Sequence, residues 1–262
     1  MLAIDHRGSF KKIINSQNPE TVTDKEIVKT KSEIIGYLSD QISGVLLDVK
    51  WGLPAYKLTA SKNKPTLLAI EKTGYQEKPD GRITELEYNV NYLKSLGAKG
   101  IKLLIYFNPY SSTATQQLQT TRSVYRDCQL IDLPLFLEIV TYHTSVTINK
   151  NNNLVVESVK RFLAESIHAN VFKLEYPGNK NACRQINGLL KGAPWILLTR
   201  GENFEIFKQQ LQSAVQHGCQ GFLAGRALWQ ELGHFQGEER RRFLRDTVSN
   251  RFKEIAEIAT NL

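Results

Sequence analysis

Three charged side chains stand inside apolar runs typical of buried β-strands: Lys102, Glu138 and Lys173. A buried lysine is costly because desolvation penalises its charge, and a second cation nearby further favours the neutral amine. A neutral amine can attack a ketone to form a Schiff base, and a neighbouring carboxylate can move the protons. The three residues therefore have the equipment for carbon–carbon cleavage through an enamine. The alternative is an interior Lys–Glu ion pair that only holds the fold together. Glu175, which lies on the same face as Lys173, is a second candidate partner for Lys173 in such a pair.

The remainder of the chain alternates short apolar runs with longer amphipathic stretches, of which 84–96, 158–168 and 203–217 are typical of helices. Repeated strand–helix units imply parallel strands with right-handed crossovers, and about 250 residues is the usual size of a closed barrel of eight such units. We therefore predict one (β/α)8 TIM-barrel domain over residues 1–262, with a helical stretch at 238–261 completing its wall. The eight predicted strands are 2–5, 44–49, 66–71, 100–107, 133–140, 171–176, 194–199 and 221–225.

Barrels of this type carry their chemistry at the C-terminal ends of the strands. The seventh and eighth predicted strands end at Gly201 and at Gly225–Arg226. The two glycines let backbone N–H groups approach an anion closely, and a guanidinium offers a two-pronged donor to it. This pattern predicts a phosphate site, and the alternative is that the glycines serve tight turns only. At the end of the first strand, His6 is predicted to be a hydrogen-bonding residue of the pocket rather than a metal ligand.

Composition excludes several other classes of function. The net charge is +8, but the basic residues are spread along the chain, so we predict attraction of small anions and no nucleic-acid partner. No apolar run approaches the length of about 20 residues that spans a membrane. The five histidines lack metal-ligand spacing, and there is no dinucleotide or phosphate-loop motif, so we predict no metal and no cofactor. Three widely spaced cysteines predict reduced thiols in a cytoplasmic protein.

Six segments, in order along nearly the whole chain, resemble the class I (Schiff-base) ketose-phosphate aldolases of the tagatose-1,6-bisphosphate aldolase family, of which the sulfofructose-1-phosphate aldolases are a close branch. The segment GFLAGRALWQ, which begins at Gly221, is the most specific, and EKTGY, which begins at Glu71, is nearly as specific. The other segments are MLAIDHRGSFKKII, LLDVKWGLPA, VFKLEYP and PWILLTRG.

The resemblance implies roles for individual residues. Lys173 is expected to form the Schiff base, Glu138 to shuttle protons, and Lys102 to help keep Lys173 neutral. Asp5 is expected to orient substrate hydroxyls. The resemblance further implies a phosphorylated sugar substrate, dihydroxyacetone phosphate as one product, and a possible homo-oligomer. The positions expected to bind substrate or its phosphate are His6, Thr199, Arg200, Gly201, Leu223, Gly225 and Arg226.

The chain departs from the family pattern at three positions, which bear on the identity of the aldehyde half. His6 replaces the usual glutamine, Lys50 stands where a glutamate is common, and Arg200 replaces a small residue. Arg200 is expected either to bind a second anion, phosphate or sulfonate, or to alter the first phosphate site. Two alternatives to a tagatose or fructose bisphosphate aldolase stay open: a sulfofructose-1-phosphate aldolase, and a non-catalytic barrel that binds phosphosugars.

Overall fold

The computed structural model describes residues 1–59, 63–144 and 153–260. Its main sheet has eight parallel strands in the order β1-β2-β3-β6-β7-β8-β9-β10, and a bridge between Leu2 and Ala224 brings the last strand back beside the first. Helices lie between the strands, so the predicted (β/α)8 barrel is confirmed. The strands are β1 Leu2–Ala3, β2 Val45–Leu47, β3 Thr66–Ala69, β6 Gly100–Phe107, β7 Leu135–Thr141, β8 Val171–Leu174, β9 Trp195–Leu198 and β10 Phe222–Leu223.

An antiparallel hairpin that the sequence did not predict follows the third barrel strand. It consists of β4 (Gln76–Lys78) and β5 (Gly81–Ile83). Residues 84–86 are not helical, and Leu86 forms an isolated antiparallel bridge with Glu71. The helix predicted from residue 84 is therefore wrong at its start, and the observed helix α4 covers only Val90–Ser95.

Side-chain caps fix the starts of many of the helices. Four asparagine side chains each accept a hydrogen bond from a backbone N–H in the first turn of the helix that follows: Asn89, Asn153, Asn179 and Asn203. The cap at Asn153 starts its helix four residues before the predicted start at residue 158, whereas the helix after Asn203 agrees with prediction. The helices are α1 Gly8–Ile14, α2 Asp24–Tyr37, α3 Gly52–Lys57, α4 Val90–Ser95, α5 Ala114–Leu130, α6 Leu154–Ala164, α7 Lys180–Leu190, α8 Phe204–Val215, α9 Arg226–Trp229, α10 Gly237–Arg242 and α11 Ser249–Thr260.

The predicted C-terminal helical stretch is present as α10, a π-helical segment at Phe243–Val248, and α11. Asn261, the last residue of the prediction, lies outside the described residues. Within those residues no helix combines the length and the apolar character needed to cross a membrane.

The inner face of the barrel has an apolar floor with a charged layer above it. The floor consists of Ala3, Leu46, Leu67, Ile196 and Leu223, with Phe136 and Val171 packed against it. Side chains on a strand alternate between its two faces, so residues two positions later along the chain also point inward. Glu138 and Lys173 stand in this relation to Phe136 and Val171, nearer to the C-terminal ends of their strands, and they are direct neighbours across the β7–β8 ladder.

Candidate active site

A cluster of two lysines and three carboxylates lies inside the C-terminal half of the barrel. Lys102 Nζ is 2.8 Å from Asp5 Oδ2, 2.6 Å from Glu71 Oε1 and 3.1 Å from Glu138 Oε2. The same Glu138 oxygen is 2.9 Å from Lys173 Nζ, so one carboxylate bridges the two lysines. The side chains of Lys102 and Lys173 are only 2% and 5% exposed, which shields these ion pairs from water.

The charges in this cluster stabilise one another against the cost of burial. Burial would lower the pKa of Lys102, but Asp5, Glu138 and Glu71 hold it well above its ordinary value, so Lys102 stays an ammonium. Burial would likewise raise the pKa of Asp5 and of Glu138, and the neighbouring lysines hold both below the usual range. Lys102 and Lys173 thus share one carboxylate, Glu138, and the part of Lys102 in keeping Lys173 neutral stays a prediction.

Lys173 contacts Glu138 and not its alternative partner, Glu175. One oxygen of Glu175 accepts hydrogen bonds from the backbone N–H and the hydroxyl of Thr141, and the other is 2.7 Å from Arg200 Nη1. Burial raises the pKa of Glu175, and its bonds to Thr141 and Arg200 offset part of that rise. Glu175 therefore supports the rim of the pocket, while Glu138 is the carboxylate beside the amine.

Two glycines at the ends of β9 and β10 lie close to the guanidinium of Arg226 and to His6, which follows β1. Gly201 has a φ of +85°, and a Cβ there would lie 3.0 Å from Arg226 Nη2. A Cβ on Gly225 would lie 2.6 Å from His6 Cε1. The left-handed backbone therefore favours glycine at residue 201, and the close approach of His6 favours it at residue 225. Their predicted part in binding an anion stays a prediction, as does the role of Arg226, whose buried Nε has no hydrogen-bond partner among the described residues.

One cavity of about 500 Å³ opens at this end of the barrel and collects nearly all of the predicted site residues. Of the predicted set, Gly201 does not line it, and Lys50 lies elsewhere, against Trp51 and Asp24. Arg200 lines the cavity with its guanidinium bound to Glu175 and to the carbonyl of Thr141. The predicted residues that line the cavity are Asp5, His6, Lys102, Glu138, Lys173, Thr199, Arg200, Leu223, Gly225 and Arg226.

His6 is held neutral in this pocket. Its side chain is 18% exposed and meets the Trp229 ring edge-on, with the ring centroids 5.2 Å apart. Burial lowers the pKa of His6 to about 3, which the nearby Asp5 offsets only in part. His6 Nδ1 is buried and has no hydrogen-bond partner in the described structure.

The lowered pKa of His6 predicts a measurable effect of pH on stability. Above pH 6.5 the residue is neutral in both states; as pH falls from about 6.5 toward 3, only the unfolded chain takes up the proton, so stability is lost. His6→Gln removes this loss. When the pH falls from 7 to 5, we expect the free energy of unfolding of the variant to fall by about 2 kcal/mol less than that of wild type. Urea unfolding of both proteins at the two pH values measures this effect. A difference in stability between variant and wild type that does not change with pH would contradict the prediction.

The sequence reasoning missed three features of the site. Glu71, at the end of an apolar run, was named as a strand end but not as part of the charged cluster. Lys31 has a fully buried side chain that pairs with Asp48 and donates to the carbonyls of residues 4 and 6, so it fixes the end of the first strand. Arg82 reaches the cavity from the unpredicted hairpin. The position of Glu71 at the end of a buried strand could have indicated its role from the sequence. The contacts of Lys31 and Arg82 depend on tertiary packing, which no local pattern reveals.

The chain is similar in sequence to known proteins. The family model described as DeoC/LacD family aldolase matches residues 1–231. The tagatose 1,6-diphosphate aldolase of Staphylococcus epidermidis is 30% identical, over 100% of this chain and 90% of that protein. The enzyme of the same name from Listeria monocytogenes is 29% identical, over 97% of this chain and 83% of that protein.

Solved structures share the fold. An archaeal fructose 1,6-bisphosphate aldolase superposes with a TM-score of 0.69 at 19% identity, over 98% of this chain and 92% of that one. A structure of an archaeal fructose-1,6-bisphosphate aldolase with its catalytic lysine covalently bound to the carbinolamine intermediate superposes with a TM-score of 0.68 at 18% identity, with the same coverage.

Proposed function

The chain belongs to the DeoC/LacD family of aldolases, and from this premise we propose that it cleaves a ketose 1-phosphate or 1,6-bisphosphate of the tagatose or fructose type, reversibly, to dihydroxyacetone phosphate and an aldehyde. The observation that carries the proposal is the Lys173 amine 2.9 Å from the Glu138 carboxylate, both buried at the base of the cavity. This pair offers a nucleophile and a proton carrier at one point.

Lys173 is the better nucleophile of the two lysines. Lys102 is surrounded by three carboxylates that stabilise its ammonium, and an ammonium has no lone pair with which to attack. Lys173 has a single carboxylate partner among the described residues, and transfer of one proton to Glu138 frees the amine. Lys102 in turn keeps Asp5 and Glu138 ionised and in place.

The reaction follows from these positions. Lys173 Nζ attacks C2 of the ketose, Glu138 gives the proton it took from Lys173 to the departing hydroxyl, and loss of water leaves an iminium ion and an ionised Glu138. Glu138 takes the proton of the C4 hydroxyl, the C3–C4 bond breaks, and its electrons pass to the iminium as the aldehyde leaves. Glu138 then returns the proton to C3 of the enamine, and water releases dihydroxyacetone phosphate. Asp5 orients the substrate hydroxyls.

We assign the 1-phosphate to the ends of β9 and β10. Two cations lie there: Arg200 is paired with Glu175, whereas Arg226 has no ion pair within the described ranges, so its donors are available to a phosphate. Thr199, Leu223 and the backbone near Gly201 and Gly225 complete the proposed site. The neutral ring of His6 lies beside Gly225 and adds no charge of its own.

Release of dihydroxyacetone phosphate tests the function. Fructose and tagatose 1,6-bisphosphates are supplied to the protein, and the product is reduced by glycerol-3-phosphate dehydrogenase with NADH. We expect turnover of at least one substrate, and an unchanged rate in EDTA because the iminium takes up the electrons that a metal would otherwise stabilise. Failure of the folded protein to cleave any ketose 1-phosphate would contradict the proposal.

Sulfofructose 1-phosphate is the second candidate substrate. It shares the dihydroxyacetone phosphate half, so the same machinery applies, and it differs only in the terminal anion of the aldehyde half. A cytoplasmic location and assembly into a homo-oligomer complete the proposal.

A further inference from the structure

The cations that line the cavity differ in what holds them. Five of them each form an ion pair with at least one carboxylate: Lys102, Lys173, Arg7, Lys72 and Arg200. In the part of the chain that the structure describes, the guanidinium of Arg82 has aromatic neighbours and no ion pair. Arg200, predicted to bind a second anion, already uses its guanidinium on Glu175 and Thr141.

Three tyrosines surround the Arg82 guanidinium. Its central carbon lies 4.4 Å from the ring centroid of Tyr75, 4.6 Å from that of Tyr142 and 5.9 Å from that of Tyr106. Cation–π contacts engage the faces of a guanidinium, whereas hydrogen bonds to an oxyanion use the N–H groups along its edge. The tyrosines therefore hold the side chain without using the donors that an anion needs.

The hairpin that carries Arg82 is anchored to the barrel. The backbone N–H of Arg82 donates to the Tyr142 hydroxyl over 2.9 Å. Asp80, in the turn, accepts from the backbone N–H of Ser112 at 3.0 Å and from its hydroxyl. A Cβ on Gly81 would collide with the side chain of Thr113, so the hairpin packs closely on the next loop. A cation fixed in this way loses little entropy when it binds a ligand.

The position of Arg82 suits the far end of a ketose phosphate. The hairpin follows the third barrel strand, and the seventh strand, where the proposed 1-phosphate site begins, lies four strands away in either direction around the ring. Lys173 and Glu138 lie on the sixth and fifth strands, between the two ends. A substrate with C2 at Lys173 and its 1-phosphate at Arg226 therefore extends its other end toward the hairpin.

Resting on the function proposed above, we infer that Arg82, held by Tyr75, Tyr106 and Tyr142, binds a terminal oxyanion on the aldehyde half of the substrate. The chemistry is that of a phosphate monoester or a sulfonate, each of which presents oxygens to the guanidinium edge. Arg82 is thus a specificity residue that favours ketose 1-phosphates with a second anion over those without one.

The test compares kcat/KM for fructose 1,6-bisphosphate, sulfofructose 1-phosphate and fructose 1-phosphate. The ratio of each doubly anionic substrate to fructose 1-phosphate measures recognition of the terminal anion, and the larger ratio in wild type identifies phosphate or sulfonate. In Arg82→Met we expect that larger ratio to fall by about 10- to 100-fold, since a hydrogen-bonded charge is lost. Lys78→Met is the matched control: it removes one positive charge from an exposed position in the same hairpin and is expected to leave the ratio unchanged.

Two outcomes would overturn the inference and are distinguishable from failure of the proposed function. The inference is overturned if wild type does not favour either doubly anionic substrate, or if Arg82→Met keeps the wild-type ratio. Both outcomes require turnover of fructose 1-phosphate, so both leave the aldolase proposal standing. Absence of turnover of these three substrates and of tagatose 1,6-bisphosphate by folded wild type would overturn the proposed function, and this inference with it. Arg82→Lys, which keeps the charge without the planar fork, is expected to give an intermediate ratio.

Discussion

Replacing Lys173 with methionine is expected to lower kcat by at least about 10⁴-fold, because the reaction loses the amine that forms the covalent intermediate. Methionine fills a similar volume and removes the charge. Glu138 keeps Lys102 as a partner at 3.1 Å, so the variant is expected to fold. Turnover of fructose 1,6-bisphosphate gives the rate, and circular dichroism verifies the fold. Lys253→Met, on the exposed face of α11, removes the same charge and is expected to retain wild-type kcat.

A chemical rescue separates loss of the amine from disturbance of the pocket. Lys173→Cys treated with bromoethylamine regains an amine on a side chain close to the length of lysine. The native Cys128, Cys183 and Cys219 are buried, and burial raises the pKa of their thiols to about 12, 11 and 12, so they react slowly. We expect alkylation to restore a substantial part of the activity. Full activity of Lys173→Met, or a rescued enzyme that fails to form a Schiff base, would contradict the assignment.

Replacing Glu138 with glutamine is expected to lower kcat by about 10²- to 10⁴-fold, the usual range for a group that transfers protons. The same change removes the anion between two buried lysines, and breaking a buried pair costs about 3–5 kcal/mol, so the variant is also expected to unfold at lower urea. Activity alone therefore does not separate the chemical role from the structural one.

Proton exchange at C3 separates the two roles of Glu138. Dihydroxyacetone phosphate in D₂O takes up deuterium at C3 each time the enamine forms and is protonated again, and NMR follows the exchange. In Glu138→Gln we expect the Schiff base with Lys173 to remain trappable while the exchange rate falls in parallel with kcat. Exchange at the wild-type rate, in a folded variant with a trappable Schiff base, would mean that another group carries the proton.

The barrel and its charged interior were predictable because each depends on local sequence. Parallel strands are buried on both faces, so they stand out as apolar runs, and a charge inside such a run is conspicuous. Lys102, Glu138 and Lys173 were found in this way. Their pairing was not predictable, since Glu175 was a second candidate partner for Lys173 and only the ladder between β7 and β8 places Glu138 beside Lys173.

Features that depend on contacts distant in sequence were out of reach. The hairpin of β4 and β5 is held by contacts with the loop around Ser112 and with Tyr142, which no local pattern reveals. No prediction was therefore made for Arg82 from the sequence. Arg200 was recognised as unusual, but its contact with Glu175 depends on how β8 and β9 end in three dimensions. The domain boundary, location and oligomeric state stay predictions.

Borohydride trapping tests the central claim most directly. The protein is mixed with dihydroxyacetone phosphate, reduced, digested and analysed by peptide mass spectrometry. We predict a reduced adduct on the peptide that contains Lys173, and its absence in Lys173→Met. An adduct on Lys102 would contradict the choice of nucleophile, and no adduct in a folded protein that still binds dihydroxyacetone phosphate would contradict the Schiff-base mechanism itself.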